Sequence, residues 1–81
     1  MEPEKRRRSA VHTREYRYLL ARLREARKAA NLTQVQAANA LKRRQSWITK
    51  CELGERRIDP IDLARFARLY RKPMSFFIPK V

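Results

Sequence analysis

Acidic residues are scarce in this sequence. Eight Asp and Glu stand against 21 Lys and Arg, a net charge of +13. An excess of that size repels itself, so a polyanion is the expected partner; nucleic acid and an anionic membrane surface both qualify. Glycine is rarer still: Gly54 stands alone, and no glycine-rich phosphate loop can be drawn. The single cysteine, Cys51, excludes an intrachain disulfide, offers no metal cluster and fits a reducing cytoplasm. The single histidine, His12, has no second ligand or nucleophile beside it. With no nucleophile–base pair and no metal-ligand spacing, an enzyme is the least supported class, and no cofactor or metal is expected. No apolar run approaches about 18 residues, so no membrane span is expected, and no apolar stretch follows the basic N-terminus as a signal peptide would require. No internal repeat is present.

What is there points to a folded domain. Hydrophobic residues make up 43% of the chain, too many for a disordered basic tail, and 81 residues give room for one domain with one small core. Residues 1–12 read as a flexible basic arm in which Lys5, Arg6, Arg7 and Arg8 could follow a phosphate backbone or enter a minor groove. Residues 13–81 read as the domain. A long helix is expected from Thr13 to Ala30, with Tyr16, Leu19, Leu20, Leu23, Ala26, Arg27 and Ala30 on one face at three- and four-residue steps. Arg27 falls on that inward stripe, where a charge needs a partner. Asn31 suits a left-handed helix exit.

The stretch from Thr33 to Gly54 organises the rest. A short helix is expected over Gln34–Leu41, capped by Thr33 with Gln36 completing a capping box. Ala37, Ala38 and Leu41 share one side, and the two alanines leave room for a crossing helix. A second helix is expected over Gln45–Leu53, with Ile48 and Cys51 inward and Gln45, Ser46, Thr49 and Lys50 outward. Gly54 follows it as a left-handed terminator. Asp59 then caps a helix from Pro60 to Arg71, with Pro60 at its first position and Asp62 in its first turn. Leu63, Phe66, Ala67 and Tyr70 form its stripe, widened by Ile61, Ala64 and Leu69. Beyond Pro73 lies a dense apolar patch, of which Met74 and Phe77 are expected to close the core. Leu69, Phe76 and Ile78 remain as a C-terminal dimerisation surface. The sum is all-α: four helices plus a short fifth, without a strand.

The motifs carry a resemblance. Leu32-Thr33-Gln34, Gln45-Ser46-Trp47-Ile48-Thr49-Lys50 and Glu52-Leu53-Gly54-Glu55-Arg56 match, in order and spacing, the Cro and repressor helix-turn-helix family of phages, also called the xenobiotic-response-element class. The likeness covers about residues 19–78. It implies a compact four- to five-helix domain of the lambda-repressor-like type, with Gln45–Leu53 as the recognition helix. It further implies that Gln45, Ser46 and Lys50 face base edges, with Thr49 beside them, and that Gln34 bonds a phosphate from a helix N-terminus. The chemistry agrees: Gln pairs with adenine, Lys bonds the acceptors of guanine, and Ser serves either. Arg43, Arg44, Trp47, Arg56 and Arg57 are placed to meet the DNA backbone. By the same resemblance, Arg27 pairs with Glu52 and ties the first helix to the recognition helix.

Two positions depart from the family. Lys42 stands where glycine is usual at the turn, so it must either sit left-handed, at roughly 1–2 kcal/mol, or alter the turn. Arg44 precedes the recognition helix, where Ser, Thr or Pro is common, and cannot cap it through an oxygen. The expected function is a cytoplasmic, sequence-specific transcriptional regulator of bacterial or phage type, a repressor above all, dimeric on a pseudo-palindromic operator in double-stranded DNA. A DNA-binding antitoxin with a toxin or anti-regulator as partner, a charge-driven non-specific nucleic-acid binder, and a membrane-active basic helix over residues 13–30 are the competing classes.

Overall fold

The computed structural model describes residues 13–80, which are all-helical, with no strand among them. The arm residues Lys5, Arg6, Arg7 and Arg8 lie outside the described residues. Helix α1 spans Arg14–Ala29, α2 Gln34–Leu41, α3 Gln45–Leu53 and α4 Pro60–Tyr70, followed by a 3-10 turn at Met74–Phe76. Each start has the cap that its sequence offers. The Thr13 hydroxyl accepts from the Tyr16 N–H at 3.1 Å. Thr33 and Gln36 form the reciprocal box, Thr33 Oγ1 accepting from the Gln36 N–H at 3.1 Å and Gln36 Oε1 from the Thr33 N–H at 2.9 Å. Asp59 accepts from the Asp62 N–H at 2.8 Å, with Pro60 opening α4. Among the described α-helices, α3 alone starts without a side-chain cap, because Arg44 has no oxygen to offer.

The four α-helices of the described residues end alike, although the chain has one glycine. Asn31, Lys42, Gly54 and Arg71 take left-handed φ values of 60°, 58°, 81° and 60°. After each, an N–H reaches back five residues: Leu32 to Arg27, Arg43 to Ala38, Glu55 to Lys50 and Lys72 to Ala67. This closure satisfies carbonyls that the helix itself leaves open. Lys42 therefore keeps the tight turn of the α2–α3 pair at a steric cost, and the left-handed Arg71 ends α4 at Tyr70, one residue short of the expected boundary.

The core joins α1, α2, α3, α4 and the C-terminal turn around Leu23, Ala26, Ala37, Ala38, Ile48, Cys51, Phe66 and Phe77, all 0–1% exposed. Ala37 and Ala38 let α3 pack closely on α2, as small side chains permit. Phe66 stacks between Trp47 (5.6 Å) and Tyr70 (5.8 Å). Phe77 closes the core as expected, but Met74 does not: it is 39% exposed. The 3-10 turn places Met74 at its outer start, so only Phe77 turns inward.

Candidate nucleic-acid interface

The outward face of α3 is built on a buried ion pair. Arg27 Nε donates to Glu52 Oε2 at 2.6 Å and Arg27 Nη2 to Glu52 Oε1 at 3.2 Å. Arg27 is 9% and Glu52 2% exposed. Each Arg27 nitrogen and each Glu52 carboxylate oxygen has a partner: Arg27 Nη1 donates to the Leu32 carbonyl at 2.9 Å, and Gln34 Nε2 donates to Glu52 Oε1 at 2.9 Å. Buried charges need this completeness, since an unmatched one costs several kcal/mol. The hydrogen bond to Glu52 is also what raises the Arg27 pKa, so the guanidinium stays charged. Arg24 adds a tie from α1, Nη1 donating to the Glu52 carbonyl at 3.0 Å.

The same network reaches the surface. Gln34 Oε1 accepts from Thr49 Oγ1 at 2.8 Å and, at the long end of the range, from Gln45 Nε2 at 3.4 Å. The Gln34 side chain is thus engaged inside the protein, and a phosphate at this helix start would meet backbone N–H groups first. Thr49 is half-buried with its hydroxyl turned to Gln34, whereas Gln45, Ser46 and Lys50 are exposed. Three of the four outward residues read from the sequence are therefore exposed to a partner, Gln45 through the part of its amide that Gln34 leaves open, and the fourth positions its neighbours.

Cations surround these side chains. An open groove of about 400 Å³ is lined by Lys42, Arg43, Arg44, Ser46, Trp47, Lys50 and Arg56. Its floor is aromatic. The Trp47 ring stacks on Phe66, and the Arg43 guanidinium lies 4.6 Å from its centroid, with Arg56 at 5.9 Å. Trp47 Nε1 is buried and has no hydrogen-bond partner among the described residues, so this donor faces the packed side rather than the groove. Arg43 also approaches Asp62 at 3.7 Å. Arg57 departs from the set: its guanidinium lies 5.4 Å from the Tyr16 ring, and it lines a different groove with Tyr16, Leu19, Phe77 and Ile78. Nothing in the sequence places it there, because Tyr16 reaches the loop through a hydroxyl accepting from the Ile58 N–H at 3.1 Å, 42 positions away.

The C-terminal patch is partly covered. Arg22 Nε donates to the Phe76 carbonyl at 2.9 Å and its guanidinium lies 3.6 Å from the Phe76 centroid, with Lys72 at 4.8 Å. Ile78 is 49% exposed, while Leu69, half-buried, lines a separate depression with Leu32 and Tyr70. The three residues expected at a dimer surface thus do not line one groove. Cys51, facing the core, has its thiol pushed up to about 11 by burial, which keeps it protonated and unreactive. Among the described residues no group of acidic, His and Cys side chains could hold a metal, and no helix is long and apolar enough to cross a membrane.

Two helices joined by a left-handed turn, the second exposing polar side chains amid cations, define a helix-turn-helix, the fold class of DNA-binding regulators. The family described as "helix-turn-helix domain" matches residues 19–73. The chain belongs to that family, in agreement with the Cro and repressor resemblance. No curated protein and no solved structure matches it.

Proposed function

We propose that this protein is a sequence-specific transcriptional regulator of the bacterial or phage type that binds double-stranded DNA as a homodimer and represses by occupying an operator that overlaps a promoter. The observation that carries this reading is the exposed trio Gln45, Ser46 and Lys50 on α3, rimmed by Lys42, Arg43, Arg44 and Arg56. Gln45 reads adenine, Lys50 reads guanine and Ser46 serves either, while the rim neutralises phosphates. A rigid α3 matters here, and the Arg27–Glu52 pair supports it. One domain of this size reads few base pairs, so two copies on half-sites about one helical turn apart supply the specificity. Ile78 and Met74, exposed near the C-terminus, are the apolar side chains available for that contact.

The test is selection of bound duplexes from a random DNA pool at about physiological salt with excess competitor. The expected result is an inverted repeat with half-sites roughly 10 base pairs apart. Strong low-salt binding without enrichment would instead leave a charge-driven binder, consistent with the net +13. Equilibrium sedimentation showing only monomer, with and without DNA, would remove the dimer.

A further inference from the structure

Two consecutive residues of the loop after α3 line different grooves. Arg56 lines the recognition groove with Ser46 and Lys50, whereas Arg57 lines a second groove of about 420 Å³. The two differ in charge. Five cations and no carboxylate line the first; one cation, Arg57, and one carboxylate, Glu15, line the second. The rest of the second groove is mostly apolar. Leu19 and Phe77, both buried, back it, and Ile78, 49% exposed, stands at its rim. Tyr16 fixes its wall: the hydroxyl accepts from the Ile58 N–H at 3.1 Å, and the Arg57 guanidinium lies 5.4 Å from the ring. A wall already held in place loses little freedom on contact.

A chain of net charge +13 repels its own copies, so two copies meet best where cations are few and matched. This groove meets that condition, and it is self-complementary. It offers an apolar knob, Ile78, beside an apolar hollow, and an anion beside a cation. Across a two-fold axis each of these can meet its opposite, as an isologous contact requires. We propose that this groove is the homodimer interface. Ile78 of each copy enters the hollow lined by Tyr16 and Leu19 of the other, and Glu15 of each pairs with the other copy's Arg57. The inference rests on the homodimer of the proposed function and gives it a surface. Gln45, Ser46 and Lys50 stay uncovered, since none of them lines this groove.

Charge reversal tests this, read by sedimentation equilibrium of the full chain without DNA. The wild type should be dimeric. Glu15→Arg and Arg57→Glu should each weaken self-association by about tenfold or more, because two attractive pairs become repulsive. Mixed in equal amounts, these two variants should associate nearly as tightly as wild type, since each supplies the charge that the other lacks. Ile78→Asp should be monomeric and Ile78→Leu dimeric. All three positions are exposed, and thermal melts establish that each variant is folded. Variants that associate as wild type does, or a mixture no tighter than either variant alone, overturn this interface and leave the homodimer to another surface. A wild type that is monomeric without DNA also overturns this interface; if it is monomeric on a selected duplex as well, the homodimer reading falls with it.

Discussion

Arg27 and Glu52, 25 positions apart, meet side-on through two nitrogens and two oxygens, at 2.6 and 3.2 Å. Arg27→Ala leaves the Glu52 carboxylate buried with Gln34 as its one remaining side-chain donor, and should cost roughly 3–5 kcal/mol in urea unfolding. Replacing both partners together, Arg27→Met with Glu52→Leu, should recover most of that loss, because no orphaned charge remains. A single variant as stable as wild type would show that the pair contributes nothing.

Lys42 at φ 58° carries a side chain where the α2–α3 turn favours none. Lys42→Gly relieves roughly 1–2 kcal/mol of left-handed strain and returns part of it to the freer unfolded chain, for a net gain of about 0.5–1 kcal/mol. The urea midpoint should rise with an unchanged slope. Arg71→Gly should behave likewise, since Arg71 ends α4 at φ 60°. An unchanged midpoint in both would mean that the lysine and arginine turns are unstrained.

On the proposed DNA-binding function, the outward residues separate into two kinds. Gln45→Ala and Lys50→Ala should each relax discrimination at one base pair by about 1–3 kcal/mol. Arg56→Ala should weaken binding to every sequence alike and lower the salt slope by about one. Competition titrations at several salt concentrations distinguish these patterns. A uniform loss in all three variants would assign Gln45 and Lys50 to the backbone.

Cys51 makes stability sensitive to alkali. Its thiol titrates near 9.0 when unfolded and about 11 in the fold, because burial disfavours the thiolate. Between those values the unfolded chain has lost a proton that the native chain retains, so the stabilisation present below pH 9 is lost as pH rises toward 11. Tyr70, raised from 10.0 first by burial and then by the charge of Glu52, acts in the same direction at higher pH. Unfolding midpoints measured from pH 8 to 11 should therefore fall, and Cys51→Ala should flatten the first part of the decline. A midpoint that holds steady across this range would contradict the assignment.

Much of this architecture was legible in the residues because it is local. Thr33 with Gln36, Asp59 with Pro60, and Gly54 announce helix ends within four positions of themselves, and the observed ends agree to within a residue or so. The Arg27–Glu52 pair was expected through family resemblance, since an arginine on an inward face asks for a partner but does not name one. What escaped the sequence depends on distant geometry. Arg22 covers Phe76 from 54 positions away. Thr49 looks outward by helical spacing, yet Gln34 draws its hydroxyl inward. Trp47, expected beside the DNA backbone, lines the groove but stacks on Phe66 with its N–H buried.

Phe77 is fully buried among residues that begin with Leu19, which sets an order of events during synthesis. The recognition helix is finished at Leu53, but the core it leans on is incomplete until residue 77 has left the ribosome. At about 5–20 residues per second that interval is about one to five seconds. For that time the basic helices exist as chain without a fixed fold, so a nascent chain should not hold a duplex in register before its last aromatic plug arrives. Chains held on the ribosome by a long unstructured C-terminal linker should accordingly be protease-sensitive when truncated just before Phe77 and resistant when they continue to Val81; equal resistance in both would show that the four described helices close without it.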